Sequence, residues 1–117
     1  MMKLPQEGTL LRIFIGDSDM YQGKPLYEAI VLKAREMHLA GATVLKGIMG
    51  FGKNSRLHST KLLELSTDLP VVIEIIDTQE NISRFLPELD TMITDGLVTV
   101  ESVQVIKYIA PEKRSIG

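Results

Sequence analysis

What most constrains the fold of this chain is the order in which two hydrophobic periodicities alternate along it. From Thr9 to Gly16 apolar residues recur at every second position, with Leu11, Ile13 and Ile15 on one side and Leu10, Arg12 and Phe14 on the other, as a pleated strand requires. Between Pro25 and Gly41 the spacing becomes helical: Leu26, Ala29, Ile30, Ala34, Met37 and Ala40 form one stripe, with Glu28, Lys33, Arg35 and Glu36 away from it. Pro25 suits the first helical turn, where its missing N–H has no partner to lose, and Gly41 suits the αL residue that closes a helix. Val31, Leu32 and Leu39 lie off the stripe, so this helix carries more apolar surface than one core contact uses. Residues 42–49 read as a second strand, 71–76, opened by Pro70, as a third, and 97–109 as a fourth. In the fourth, Val98 and Val100 share one parity while Val103 and Val105 share the other, which predicts a bulge near Glu101-Ser102 that turns all four the same way. A second helix, capped by Asp77 or Thr78, carries Ile82, Phe85, Leu86, Leu89, Met92 and Ile93 and ends at Asp95-Gly96. Pro87 lies inside that pattern, and since an interior proline costs on the order of 3 kcal/mol, it predicts a kink or a late helix start.

Strand, helix, strand, strand, helix, strand is the split βαβ succession. It predicts an α+β, ferredoxin-like βαββαβ domain: a four-stranded antiparallel sheet with two helices on one face. A chain of 117 residues that is 44% hydrophobic fits one such domain, burying roughly two thirds of its unfolded surface. The expected layout is a single domain over residues 1–117, with a long polar excursion at 53–66 and a loose tail at 110–117. The helices leave the other sheet face bare, and it presents either Leu10, Phe14, Val72 and Ile76 or the Leu11, Ile13, Ile15, Val71, Ile73 and Ile75 set. At roughly 25 cal/mol per Å2, leaving such a face wet forgoes a few kcal/mol, so a closed homo-oligomer with sites between its subunits is expected. The alternative is a monomer whose bare face Arg12 and Glu74 keep soluble.

Charge and cysteine content remove several function classes. With 13 basic and 15 acidic residues, a net charge of −2 and no basic stripe, the chain offers no field for nucleic acid. The absence of cysteine excludes thiol catalysis, thiolate metal sites and a disulfide framework, in keeping with a reducing cytosol. No run approaches the roughly 18 apolar residues of a membrane span, and residues 1–7 lack the apolar core of a signal peptide, so a soluble cytoplasmic protein without membrane insertion is expected.

Chemistry concentrates at Gly47-Ile48-Met49-Gly50-Phe51-Gly52-Lys53, where a strand gives way to three glycines and then to a polar loop. Glycine lets backbone N–H groups approach an anion and adopt the positive φ angles that aim them at one point, and Lys53 adds a cation. The spacing fits neither the phosphate-loop motif nor the dinucleotide fingerprint, because Asn54, Ser55 and Arg56 follow where a helix should begin. Two readings stand: an anion cradle, or a sharp strand exit. Asp17 and Asp19, in the turn after the first strand, either hold a cation or a ribose hydroxyl or bond their own loop backbone. His38 reads as a solvated residue at a helix C-terminus rather than a ligand. His58 beside Ser59 lacks both an orienting third residue and an oxyanion site.

The stretch from Gly41-Ala42-Thr43-Val44 to Gly50-Phe51-Gly52-Lys53-Asn54, followed by a long loop with His58, resembles the PII signalling proteins, whose second strand ends in Gly-Phe-Gly-Arg-Gln and opens the T-loop. Arg12 to Gly16, Pro25 to Ile30, Ala40 to Val44 and Gly47 to Gly52 together resemble more closely the uncharacterised PII-like family of small bacterial and archaeal proteins, of the DUF190 type. The resemblance implies a homotrimer with an adenine nucleotide, as ligand rather than catalytic cofactor, in the clefts between subunits. By position, Gly50, Phe51 and Gly52 would line its phosphate side, Lys53 and Asn54 would take the places of the family's Arg and Gln, Thr43 would lie near the adenine, and Lys107 would stand where PII has a phosphate-contacting Arg. Thr94-Asp95-Gly96-Leu97 replaces the glycine-rich B-loop and its lysine, which favours ADP or AMP over ATP with 2-oxoglutarate. The loop also lacks the tyrosine that some PII proteins have modified. The implied function is regulation, without catalysis, of an unidentified protein partner, a membrane transporter or channel being one candidate. A CutA-like trimeric interaction or metal-tolerance module is the alternative, weakened by the presence of only two histidines. An enzyme acting on phosphate esters through Arg12, Lys53, Arg56 or His58 is the lesser one.

Overall fold

The computed structural model describes residues 7–52 and 68–110. Its elements are β1 (Glu7–Gly16), β2 (Met20–Tyr21), β3 (Lys24–Pro25), α1 (Leu26–Glu36), β4 (Thr43–Lys46), β5 (Pro70–Asp77), α2 (Gln79–Met92) and β6 (Leu97–Gln104). The main sheet has the order β4-β5-β1-β6, with every neighbouring pair antiparallel. This is the expected ferredoxin-like arrangement. A two-stranded β2-β3 hairpin, which the sequence showed only as turn residues, occupies the link into α1. Its two-residue turn places Gln22 at φ 48° and Gly23 at φ 82°, the double positive φ of a type I′ turn.

β1 lies at the centre because its alternation supplies one face with Leu11, Ile13 and Ile15, opposite Ile75, Ile73 and Val71 of β5. These side chains are buried under Leu26, Ala29, Ile30 and Ala34 of α1 and Ile82, Phe85, Leu89 and Met92 of α2. Leu10, Arg12 and Phe14 therefore point to the bare face, with Val72, Glu74 and Ile76. There Arg12 bridges two carboxylates, Glu74 at 2.8 Å and Glu101 at 2.8 Å.

Several expectations are corrected. The β1-β6 register runs unbroken from Glu7 opposite Gln104 to Phe14 opposite Leu97, so there is no bulge at Glu101-Ser102. Val98 and Val100 consequently face the helix side and Val103 the bare side. β6 ends at Gln104 rather than 109, and Val105 folds over Gly8, where an added Cβ would come within 3.0 Å of its methyl group. β4 covers 43–46 rather than 42–49, because after the Gly47 N–H donates to the Pro70 carbonyl at 2.7 Å the chain turns away. α2 runs from Gln79 through Pro87 to Met92, which removes the late start from the two alternatives its proline offered. Both Pro87 and Ser83 are exposed, so the turn in which Pro87 removes the Ser83 carbonyl's helical donor is on the solvent side of α2. Pro25 is the N-cap of α1 rather than a residue of its first turn.

The close of α1 falls on His38 instead of Gly41. His38 has φ 61°, its N–H donates to the Arg35 carbonyl at 3.0 Å, and the Leu39 N–H donates to the Ala34 carbonyl at 3.0 Å, the paired bonds of a Schellman motif with a non-glycine αL residue. α2 is capped by Thr78, whose hydroxyl accepts from the Asn81 N–H at 3.1 Å. Asp77, 1% exposed, ties the two helix ends together: its carboxylate accepts from the Ala40 N–H at 2.8 Å, the Thr78 N–H at 2.7 Å and the Asn81 amide at 3.0 Å.

Both helix ends make stability outcomes testable. Replacing His38 by glycine relieves the αL strain and should raise stability by roughly 0.5–1 kcal/mol, a few degrees in Tm, while His38→Val should lower it. Asp77→Ala leaves two backbone donors and an amide without their acceptor and should cost about 3 kcal/mol in chemical denaturation, against a much smaller loss for Asp77→Asn.

Candidate functional site

The antiparallel order fixes which strand ends lie together. At one end are Gly16, Pro70, Leu97 and the exit of β4 at Lys46; at the other are Glu7, Asp77 and Gln104, while the short β4 starts mid-sheet, with Thr43 opposite Glu74. The glycine stretch therefore begins at the first end. Gly47 and Gly50 both press against the Pro70 ring, and an added Cβ would come within 2.7 Å and 2.9 Å of its Cγ respectively. Neither has a positive φ. The corner's glycines are thus needed for close approach to proline, and Gly47 and Gly50 do not form the αL nest that an anion cradle uses. The same corner holds Ile48, Met49 and Phe51 out in water at 94%, 67% and 75% exposure.

The turn between β1 and β2 is bound tightly to the start of β5. The Asp17 N–H donates to the Leu69 carbonyl at 2.9 Å, and the Asp17 carboxylate accepts the Leu69 N–H at 3.1 Å. The Asp68 carboxylate accepts from both the Ser18 N–H at 3.2 Å and the Ser18 hydroxyl at 2.8 Å, while Asp19 accepts the Gly16 N–H at 3.0 Å. Asp19 thus bonds its own loop, as the plainer sequence reading had it, and Asp17 joins two segments. The second oxygen of Asp17 lies 2.9 Å from the ammonium of Lys46. That hydrogen bond, and then the carboxylate's charge, raise the Lys46 pKa above its ordinary value. Lys46 is a charged residue of this corner that sequence reasoning passed over; a lysine in the last strand position before a glycine run was the available signal.

The other sequence-derived site residues are dispersed within one chain. Thr43 is exposed at the far end of β4, opposite Glu74, with about 10 Å of strand between it and Lys46. Lys107, exposed, follows the end of β6, and the Tyr108 hydroxyl donates to the Ala40 carbonyl at 3.1 Å, which keeps this segment beside the link from α1 to β4. Gly50, Phe51 and Gly52 are exposed at the opposite end. Lys53 and Asn54, with Arg56, His58 and the rest of the 53–66 excursion, lie outside the described residues. Arg12 is held by Glu74 and Glu101, with the Glu74 hydrogen bond the main cause of its raised pKa. A groove of about 710 Å3 runs between the second half of α2 and the start of β6, lined by Leu86, Pro87, Ile93, Thr94, Gly96 and Val98 among others. It includes the Thr94-to-Leu97 link, at the same end of the sheet as the glycine corner.

Residues 8–105 match the profile of the DUF190 family, described as an uncharacterized ACR. The chain is 45% identical over 97 residues to a UPF0166 protein of Aquifex aeolicus, an alignment covering 83% of this chain and 91% of that one. It is 35% identical over 102 residues to a UPF0166 protein of Methanocaldococcus jannaschii, covering 86% and 94%. Among solved structures, a putative PII-like signaling protein from Thermus thermophilus superposes with a TM-score of 0.61 at 18% identity, covering 91% of this chain and 94% of that one. CPII from Thiomonas intermedia, a nitrogen regulatory PII-like protein solved with ADP and bicarbonate, superposes with a TM-score of 0.60 at 17% identity, covering 86% and 90%. At such identities the structural likeness speaks to the fold, which is PII-like, while the extent of the sequence matches decides the family: this chain belongs to DUF190.

Proposed function

We propose that this protein is a PII-like regulator that binds an adenine nucleotide, ADP or AMP, in clefts between the subunits of a homotrimer and acts on a protein partner without catalysing a reaction. The observation that carries this reading is the division of the candidate residues. Lys107 lies past the far end of β6 and Gly50, Phe51 and Gly52 past the opposite end of the sheet, with Thr43 mid-sheet opposite Glu74, so in this reading the ligand meets both ends where two copies adjoin. Exposed apolar side chains support the same assembly: Ile48, Met49 and Phe51 at the corner, and Leu97, Val98 and Val100 on the uncovered edge strand β6. An apolar surface of this kind is normally covered in a soluble protein. Head-to-tail contacts of this sort close into a ring when the rotation allows. Related folds holding ADP support the ligand class.

In this reading residues 1–117 form one domain. Gly50 to Gly52, with Lys53 and Asn54, receive the phosphates, Thr43 and Lys107 complete the cleft, and occupancy shifts the surface offered to the partner. The cytoplasm is the expected compartment; among the described residues no helix is long and apolar enough to cross a membrane.

Melting and sedimentation test it together. A nucleotide at 100 times its Kd stabilises by about 2.7 kcal/mol, so ADP or AMP should raise Tm by on the order of 10 °C, and the chain should sediment as three copies at micromolar concentration. No shift with ADP, AMP or ATP, or a lone subunit at that concentration, rejects the reading. Turnover of the bound nucleotide would instead mark an enzyme.

A further inference from the structure

We propose that Lys46 is a phosphate-receiving residue at the glycine corner and that Asp17 is the counter-ion it leaves when the phosphate arrives. This assignment rests on the nucleotide-binding reading above and names a residue and an exchange within that site.

Lys46 is the last residue of β4, immediately before Gly47, and its ammonium stands 2.9 Å from one oxygen of Asp17. Asp17 is fixed in place by two bonds to Leu69, one from its own N–H and one to its other carboxylate oxygen. The two side chains differ in access: Asp17 is 18% exposed and Lys46 58%. The cation is therefore the wet member of the pair, held where the strand turns into the glycines. An ammonium has three donors, and the Asp17 oxygen engages one direction of approach. An ion pair this exposed is weak, and a phosphate group, with up to two charges and three acceptor oxygens, is a stronger partner than one carboxylate oxygen. Of the carboxylates around the β1-β2 turn, Asp19 and Asp68 are bound to Gly16 and Ser18, and Asp17 is the one that faces Lys46, so its charge competes directly with an incoming anion. The resting pair holds the Lys46 ammonium at the β1-β2 turn, next to where β4 ends, and at the same time lowers its affinity for the ligand.

Calorimetric titration of ADP and of adenosine into the full chain and its variants tests this. Lys46→Gln should weaken ADP binding by about tenfold or more and leave adenosine, which has no phosphate, within about twofold; Lys46→Arg should keep most of the ADP affinity. Asp17→Asn, which retains an acceptor for the Leu69 N–H, should tighten ADP binding about threefold or more with adenosine unchanged. Wild-type chain that binds ADP while Lys46→Gln binds it equally well, or Asp17→Asn binds it more weakly, overturns this assignment alone. Wild-type chain that binds no adenine nucleotide overturns it together with the proposed function. If Lys46→Gln does not fold, the Lys46→Arg and Asp17→Asn titrations decide.

Discussion

The structure depends on the antiparallel pairing of β1 with β5, the two inner strands of the sheet, whose helix-facing sides are buried along their length. Leu11 and Ile13 are wholly inaccessible, each inserted between a β5 partner and the helices, and burial of such side chains contributes roughly 1.5–3 kcal/mol apiece. Everything at the margins is looser. β4 is exposed along all four residues, and β6 is exposed along most of its length, although Val98 and Val100 face the helix side. Two helices of 11 and 14 residues are too narrow to cover four strands. The edges are therefore apolar and wet in a single copy.

The bare face shows the same economy. Val105, just past β6, packs beside Gly8 and Leu10 is buried, while Ile76, Leu45 and Leu97 stay exposed. Across the middle of this face runs the Glu74, Arg12, Glu101 row, a charge-assisted arrangement in which one guanidinium serves two strands.

At the loop end of the sheet the geometry recasts the role of glycine. The corner from Gly47 to Gly52 looked like a cradle for an anion, yet Gly47 and Gly50 are there to let the chain pass over Pro70. The charged group in place beside them belongs to the strand, as Lys46, and is held by the turn that follows β1, far earlier in the chain. The same turn clasps Asp68 and Leu69, so Lys46 at the end of β4 and the residues just before β5 are joined through Asp17 and Ser18.

Local sequence determined the four main strands and two helices, the core stripe of each helix and the split βαβ succession, while leaving the α2 cap between Asp77 and Thr78, because periodicity and capping act over a few residues and that succession admits few topologies. It also carried the family, through motifs spread along most of the chain. Tertiary structure decided what depends on distant partners. β1 pairing holds β6 straight where parity asked for a bulge, and the Asp77 carboxylate at the end of β5 reaches the Ala40 N–H beyond α1. The Lys46–Asp17 pair and the separation of Thr43 from Gly50 are of the same kind. Each is set by which strand lies beside which, and no short window of sequence contains that.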